Sequence, residues 1–251
     1  MKLFSDIMFD RILEDCRLRY KPFRKVVGKE REPLSFAEAI KKAAGKPVIS
    51  EVKFSSPGGR VREFEAPEKI AFEMEKGGAC GISVLTEEKY FNGSLDYLRA
   101  VKEAVSVPVL RKDFIFDSGQ VDEAYYYGAD SLLLISSFFS SKELELLMER
   151  SRSFGIEPLV EIHSFDDIER AHNAGAEIYV INNRDKDTLE INLERSREFG
   201  RVIKGVKISA SGISTVDELN YVIKYCDAVL IGTSIMKSRD VKNAVEVFVN
   251  A

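Results

Sequence analysis

Eight apolar runs of strand length recur along the chain, each followed by a segment with helical spacing, and this alternation constrains the fold more than any other feature. The runs are Pro47–Val52, Cys80–Leu85, Pro108–Arg111, Ser131–Ile135, Glu157–Ile162, Glu177–Ile181, Val206–Ala210 and Ala228–Ile231. Amphipathic stretches lie after them, at Glu68–Lys76, Leu95–Ala104, Gln120–Tyr127, Lys142–Phe154, Asp166–Asn173, Leu193–Phe199, Val216–Tyr225 and Val241–Val249. Short apolar strands separated by helices imply parallel pairing, because parallel neighbours need a crossover. Eight such units predict an α/β fold, a single (β/α)8 TIM barrel with an N-terminal helical extension. The predicted domain spans residues 1–251, with residues 1–45 as the extension. A doubly wound open sheet is the alternative, but no G-x-G-x-x-G follows the first run.

The punctuation agrees with this reading. Gly78-Ala79, Gly128-Ala129 and Gly175-Ala176 each close a helix directly before the next strand, where glycine suits a left-handed cap. Within the extension, Asp6–Arg19 and Ser35–Ala44 read as amphipathic helices. Their pattern leaves two placements open, a plug beneath the barrel or a lid over its active-site end.

Composition narrows the partners. A formal net charge of −4 gives no reason to expect nucleic-acid binding. No apolar run approaches the roughly 20 residues of a membrane span, and Met1–Asp6 lacks the apolar block of a secretory signal. Cys16, Cys80 and Cys226 are odd in number and lack metal spacing, so free thiols and a cytoplasmic location are expected.

In a barrel of this kind the chemistry sits where strands end and the following loops begin. The first run ends Ser50-Glu51-Val52-Lys53, placing Glu51 and Lys53 on the same side at period two. The third ends Arg111-Lys112-Asp113-Phe114, the fifth at Glu161, and the sixth at Asn182-Asn183-Arg184-Asp185. Two lysines, two glutamates and an amide therefore converge on one mouth. As structure alone this set is a costly buried salt-bridge layer; convergence from four strands favours catalysis. The seventh and eighth runs are followed by Ser211-Gly212-Ile213-Ser214 and Gly232-Thr233-Ser234. Small-residue turns at these two places form the recurrent phosphate site of the fold. His163 has no second histidine nearby and His172 lies on a helix, so no metal is expected, and His163 reads as solvated or capping. Tyr125, Tyr126 and Tyr127 read as packing, and Glu143–Leu147 as an ordinary helix face.

With these residues in place the chain resembles the indole-3-glycerol phosphate synthase family. The matching segments are Ser50-Glu51-Val52-Lys53-Phe54-Ser55-Ser56-Pro57, Leu85-Thr86-Glu87-Glu88-Lys89-Tyr90-Phe91-Asn92-Gly93 and Lys112-Asp113-Phe114. They continue with Leu159–His163, Ile181–Asp185, Ser211-Gly212-Ile213 and Gly232–Met236. The resemblance implies ring closure, decarboxylation and dehydration of 1-(2-carboxyphenylamino)-1-deoxyribulose 5-phosphate in tryptophan biosynthesis, without a cofactor. It implies Lys112 as the general acid on the ketone, a role suited to a partly buried lysine beside a second cation. Lys53 then pairs with the substrate carboxylate and assists loss of the hydroxyl, and Glu161 is base or acid in the dehydration. Glu51 and Asn182 position these groups. Phe91 and Phe114 flank the aromatic ring, Ser56, Arg184 and Ser211 add substrate contacts, and Gly212, Gly232, Thr233 and Ser234 hold phosphate. The implied partner is a small phosphorylated substrate, with the protein a monomer or weak homo-oligomer.

The chain departs from the family pattern at two positions. Ala210 stands where the family usually has Glu, and Ser55 where it commonly has Lys. Two other readings follow from the same residues, a lysine Schiff-base aldolase using Lys53 or Lys112, and a binding homologue of low activity. Phosphoribosylanthranilate isomerase is a nearer relative, but its cysteine base at the end of strand one is absent here.

Overall fold

The computed structural model describes residues 6–251 apart from positions 26 and 187. Eight parallel strands close into a barrel: β1 (Val48–Val52), β2 (Gly81–Leu85), β3 (Val109–Lys112), β4 (Ser131–Ile135), β5 (Glu157–Ile162), β6 (Ile178–Asn182), β7 (Val206–Ala210) and β8 (Ala228–Ile231). Each strand pairs with its neighbours in sequence, and β1 closes the ring by pairing with both β2 and β8. Ile49 sits level with Gly81 on one side and Leu230 on the other. The strands read as continuous apolar runs because both faces are covered. One set of alternating residues fills the barrel, among them Ile49, Leu110, Leu133, Leu159, Val180, Ile208 and Leu230. The other set, including Val48, Ile82, Leu132, Val160 and Val229, packs outward against Ile70, Leu98, Leu144 and Val245 of the helices.

The twelve α-helices described are α1 (Asp6–Arg19), α2 (Phe36–Lys42), α3 (Pro67–Lys76), α4 (Glu88–Phe91), α5 (Leu95–Ala104) and α6 (Ser118–Tyr126). They continue with α7 (Ser141–Ser153), α8 (Phe165–Asn173), α9 (Glu194–Gly200), α10 (Val216–Val222), α11 (Thr233–Met236) and α12 (Val241–Val249). Reciprocal caps start three of them, Asp117 with Gln120, Ser140 with Glu143 and Thr215 with Glu218. Gly78, Gly128 and Gly175 take φ of 95°, 95° and 77°, the left-handed closure expected from the Gly-Ala pairs.

The extension serves as both plug and lid. At the amino-terminal end of the barrel, the Glu157 carboxylate accepts from Ser35 Oγ (2.6 Å) and from the amides of Phe36 (2.7 Å) and Ala37 (3.2 Å). Phe36 is fully buried there against the backbone of Gly81, where a Cβ would come within 2.5 Å of the ring. At the opposite end α1 lies over the mouth. Its Arg19 pairs with Glu87 at 2.7 Å, and its Asp15 binds Lys89 and accepts from Tyr90 Oη at 2.8 Å. Between the two helices the chain runs down the outside of α6. There Tyr125 Oη accepts from the amides of Glu30 and Arg31 (2.7 Å each), while Arg31 pairs with the buried Asp130 at 3.0 Å. Tyr125 packs as expected, stacked on Phe154 with centroids 4.6 Å apart. Tyr126 packs at the surface, partly exposed, against Phe23 (5.5 Å) and edge-on to Tyr127 (5.3 Å), and Lys25 donates to its hydroxyl at 2.6 Å. All three cysteines are free, and burial pushes each thiol up to about 12.

Candidate active site

The carboxyl ends of β1, β3, β5 and β6 bring the expected charged groups together. Glu51 is buried, its Oε1 2.8 Å from Lys53 Nζ and its Oε2 3.8 Å from Lys112 Nζ. Burial pushes the Glu51 carboxyl up, but the two ammonium groups outweigh it and hold the acid below its ordinary value, against the opposing charge of Glu161. Glu161, equally buried, accepts from Asn182 Nδ2 at 3.1 Å, and His163 Nε2 lies 2.9 Å from the same oxygen, Oε1. Burial again opposes ionisation. The hydrogen bond and charge of His163, then the charge of Lys112 and the Asn182 amide, bring Glu161 down to about 2. Its second oxygen, Oε2, is buried and has no hydrogen-bond partner among the described residues. An unsatisfied buried polar group costs about 1–3 kcal/mol, and more when charged. A purely structural salt-bridge layer has no reason to retain such an atom; a site that presents it to a ligand does.

His163 is the correction to the sequence reading. It is neither solvated nor a cap: it is 6% exposed, and its ring bonds Glu161. The signal was its spacing, two residues beyond Glu161, which keeps both side chains on one side of an extended segment. The backbone amide of His163 donates to Asp167 Oδ2 at 2.9 Å, fixing the turn after β5. Phe9 of α1 meets the imidazole edge-on, with centroids 6.0 Å apart. It also packs on Phe114 at 5.8 Å, so the lid touches both the acid–base cluster and the aromatic wall. Phe91 and Phe138 complete that wall, 6.3 and 6.0 Å from Phe114.

Gly232 plays a part its sequence did not declare. A Cβ there would lie 2.5 Å from Glu51 Oε1 and 3.1 Å from Lys53 Nζ, so the end of β8 presses its bare backbone against the ion pair. The two small-residue turns meet through Ser234 Oγ, which donates to the Ile213 carbonyl at 3.2 Å. Ser211 and Gly212 both take positive φ, 68° and 80°, and the Ser211 carbonyl accepts from Asn183 Nδ2 at 3.1 Å. Thr233 is exposed beside them. Two expected contacts have their side chains engaged elsewhere. Arg184 is exposed and donates to the Leu189 carbonyl at 2.8 Å, and Ser56 hydrogen-bonds the Gly59 carbonyl across a short hairpin. Ala210 is buried, level with Asn182 and Leu230, and faces the barrel interior. Ser209 beside it is committed elsewhere, bonded to Asn183 Nδ2 (2.9 Å) and Ser196 Oγ (2.7 Å), so it supplies nothing at Ala210.

A model of the indole-3-glycerol phosphate synthase family matches residues 11–248. The chain belongs to that family. Indole-3-glycerol phosphate synthase of Aquifex aeolicus is 43% identical over 226 residues, covering 88% of this chain and 87% of the relative. The Methanocaldococcus jannaschii protein of the same name is 43% identical over 88% and 85% of the two chains, and that of Methanopyrus kandleri 38% over 96% and 98%. More distant solved structures share the fold alone. Thiamine phosphate pyrophosphorylase from Pyrococcus furiosus aligns with a TM-score of 0.63 at 18% identity, over 81% of this chain and 93% of that one. The 3-hexulose-6-phosphate synthase from Salmonella typhimurium aligns at 0.65 and 16%, over 80% and 96%.

The segments that resemble the family also have local reasons for their residues. Glu87 caps α4, accepting from the amides of Lys89 (3.1 Å), Tyr90 (2.6 Å) and Phe91 (3.3 Å). Thr86 donates to Asp113 at 2.6 Å, and Asp113 is held in turn by Arg111 at 3.0 Å. The loops after β2 and β3 are thereby tied together, which places Phe91 and Phe114 side by side at the mouth.

Proposed function

We propose that this protein is an indole-3-glycerol phosphate synthase, converting 1-(2-carboxyphenylamino)-1-deoxyribulose 5-phosphate to indole-3-glycerol phosphate with loss of carbon dioxide and water. The observation that carries the reading is the pairing of two lysines around Glu51 with a separate carboxylate, Glu161, whose free oxygen is buried at the same mouth. Ring closure forms a bond between the carboxylate-bearing ring carbon and the ketone carbon. The carbonyl electron pair moves to oxygen, which takes its proton from Lys112. Loss of carbon dioxide returns the bonding pair to the ring and restores aromaticity. The new hydroxyl then leaves as water, protonated by Lys53, and Glu161 takes the proton from the carbon beside nitrogen. Glu161 is held in its ionised form, and its unpartnered Oε2 is the oxygen open to receive that proton. Glu51 orients both ammonium groups and Asn182 orients Glu161. Phe91 and Phe114 flank the aromatic ring, with Ser56, Arg184 and Ser211 along the sugar chain.

Phosphate is held by the backbone of the turns at Gly212 and Gly232–Ser234, remote binding that orients the reacting end. No helix among the described residues is long and apolar enough to cross a membrane; a cytoplasmic monomer or weak homo-oligomer acting on a diffusible substrate completes the reading. Replacing Lys112 tests it. Lys112→Ala should lower kcat by about 100-fold or more, the range of general acids, with little change in KM. Near wild-type kcat in that variant would remove Lys112 from the mechanism.

A further inference from the structure

His163 belongs to no step above, yet it is buried in the cluster that performs them. Its nearest polar partner is one oxygen of Glu161. A carboxylate accepts hydrogen bonds and cannot donate them, so the ring proton must sit on Nε2 and point at Oε1. Nδ1 is buried as well and has no partner among the described residues. The amide of Asn182 donates to that same Oε1, and the Asn182 Oδ1 end is itself fixed, accepting from the Arg184 amide at 3.0 Å. Two donors thus meet one oxygen of the carboxylate, while the other, Oε2, has none among the described residues. The imidazole is in turn held from both sides. Asp167 anchors its backbone, and Asp167 is itself clamped by Arg170 at 2.6 Å. Phe9 of the lid closes over its edge.

We infer that His163 is a positioning residue for proton transfer: by donating from Nε2 to Oε1 of Glu161 it fixes the carboxylate rotamer and leaves Oε2 as the oxygen that takes the substrate proton. The inference rests on the reading that Glu161 moves a proton, and it adds which oxygen does so and what aims it. The proton itself passes from substrate carbon to Oε2; His163 neither gives nor takes one. Because Phe9 lies on the imidazole, seating of α1 over the mouth also steadies this pair.

The test compares four variants of the full chain in steady-state turnover: His163→Leu, His163→Gln, Glu161→Gln and the double variant His163→Leu/Glu161→Gln. Leucine fills the space without a donor, and glutamine restores an N–H toward Oε1. Losing a hydrogen bond to a charged group predicts a kcat about 10- to 100-fold lower for His163→Leu, with KM changed by less than about threefold. His163→Gln should recover to within about threefold of wild type. In the Glu161→Gln background His163→Leu should cost nothing further, since there is no carboxylate left to aim. A His163→Leu protein that keeps wild-type kcat, a glutamine variant no better than leucine, or an undiminished loss in the double variant would each overturn the inference. Should His163→Leu fail to fold, His163→Gln set against His163→Asn, whose shorter amide falls short of Oε1, makes the same comparison: equal kcat for the two would overturn the inference. Failure of the underlying reading looks different: Glu161→Gln itself would then retain wild-type kcat.

Discussion

Gly232 offers the sharpest perturbation, because one methyl group there must move the ion pair. Alanine at this position puts its Cβ 2.5 Å from Glu51 Oε1, and ordinary contact begins near 3.4 Å. The carboxylate must therefore retreat by about 1 Å, a displacement that can cost on the order of 100-fold when it misaligns reacting groups. The side chain has little freedom to absorb it cheaply: Glu51 is buried, its own Cβ would lie only 3.2 Å from the new methyl, and both oxygens face lysines. The backbone at Gly232 has a negative φ of −115°, so alanine introduces no left-handed strain and the barrel should persist. Gly232→Ala is expected to fold, with a Tm lowered by the displaced buried ion pair, and to lose about 100-fold in kcat/KM. Indole fluorescence of the product gives the rate and circular dichroism the melting curve. A folded variant with kcat/KM within about threefold of wild type would show that the placement of the Glu51 carboxylate against Lys53 and Lys112 does not matter to the reaction.

Three further outcomes follow from the same geometry. Glu161 is held at about 2, below the 4.5 of an ordinary glutamate, so its contribution to stability is complete above about pH 4.5 and lost as pH falls toward 2. The Tm gap between wild type and Glu161→Gln should accordingly shrink across that window; a gap constant from pH 7 to 2.5 would contradict it. Ala210→Glu restores a carboxylate facing the barrel interior, which Ser209 does not replace. One charge-assisted hydrogen bond predicts a kcat/KM gain of about 10-fold or more, and a loss instead would show that Ala210 is fitted to its surroundings. Inorganic phosphate soaked into crystals should bind between the turns at Gly212 and Gly232–Ser234, and anion density found only elsewhere on the barrel would refute that placement.

How much of this was legible in the chain depends on the distance over which each feature is decided. The eight strands were readable because residues such as Val160 and Leu159 are buried on opposite faces of one strand, leaving an unbroken apolar run. Glu51 with Lys53 was readable because period two decides a shared face locally. The division of the extension into plug and lid was not, since α2 is placed by Glu157 and α1 by Glu87 and Lys89, partners some 70 to 120 positions away whose pairing leaves no local pattern. His163 was misread for a different reason. A lone histidine carries no metal pattern, and the weight of that argument hid the i+2 spacing that aims its ring at Glu161. Gly232 looked like a phosphate turn, and only the closure of β8 on β1 reveals that its missing side chain is the space Glu51 occupies.

Turnover of the substrate tests the proposed activity most directly. The purified chain should be incubated with synthetic 1-(2-carboxyphenylamino)-1-deoxyribulose 5-phosphate, with no added metal or cofactor, and followed for indole fluorescence and carbon dioxide. One carbon dioxide per indole formed is expected, at a rate that Lys112→Ala and Glu161→Gln each lower to about 1% of wild type or less. A folded protein that forms no indole, or one that borohydride traps in a covalent adduct at Lys53 or Lys112, would contradict it and point to the Schiff-base reading instead.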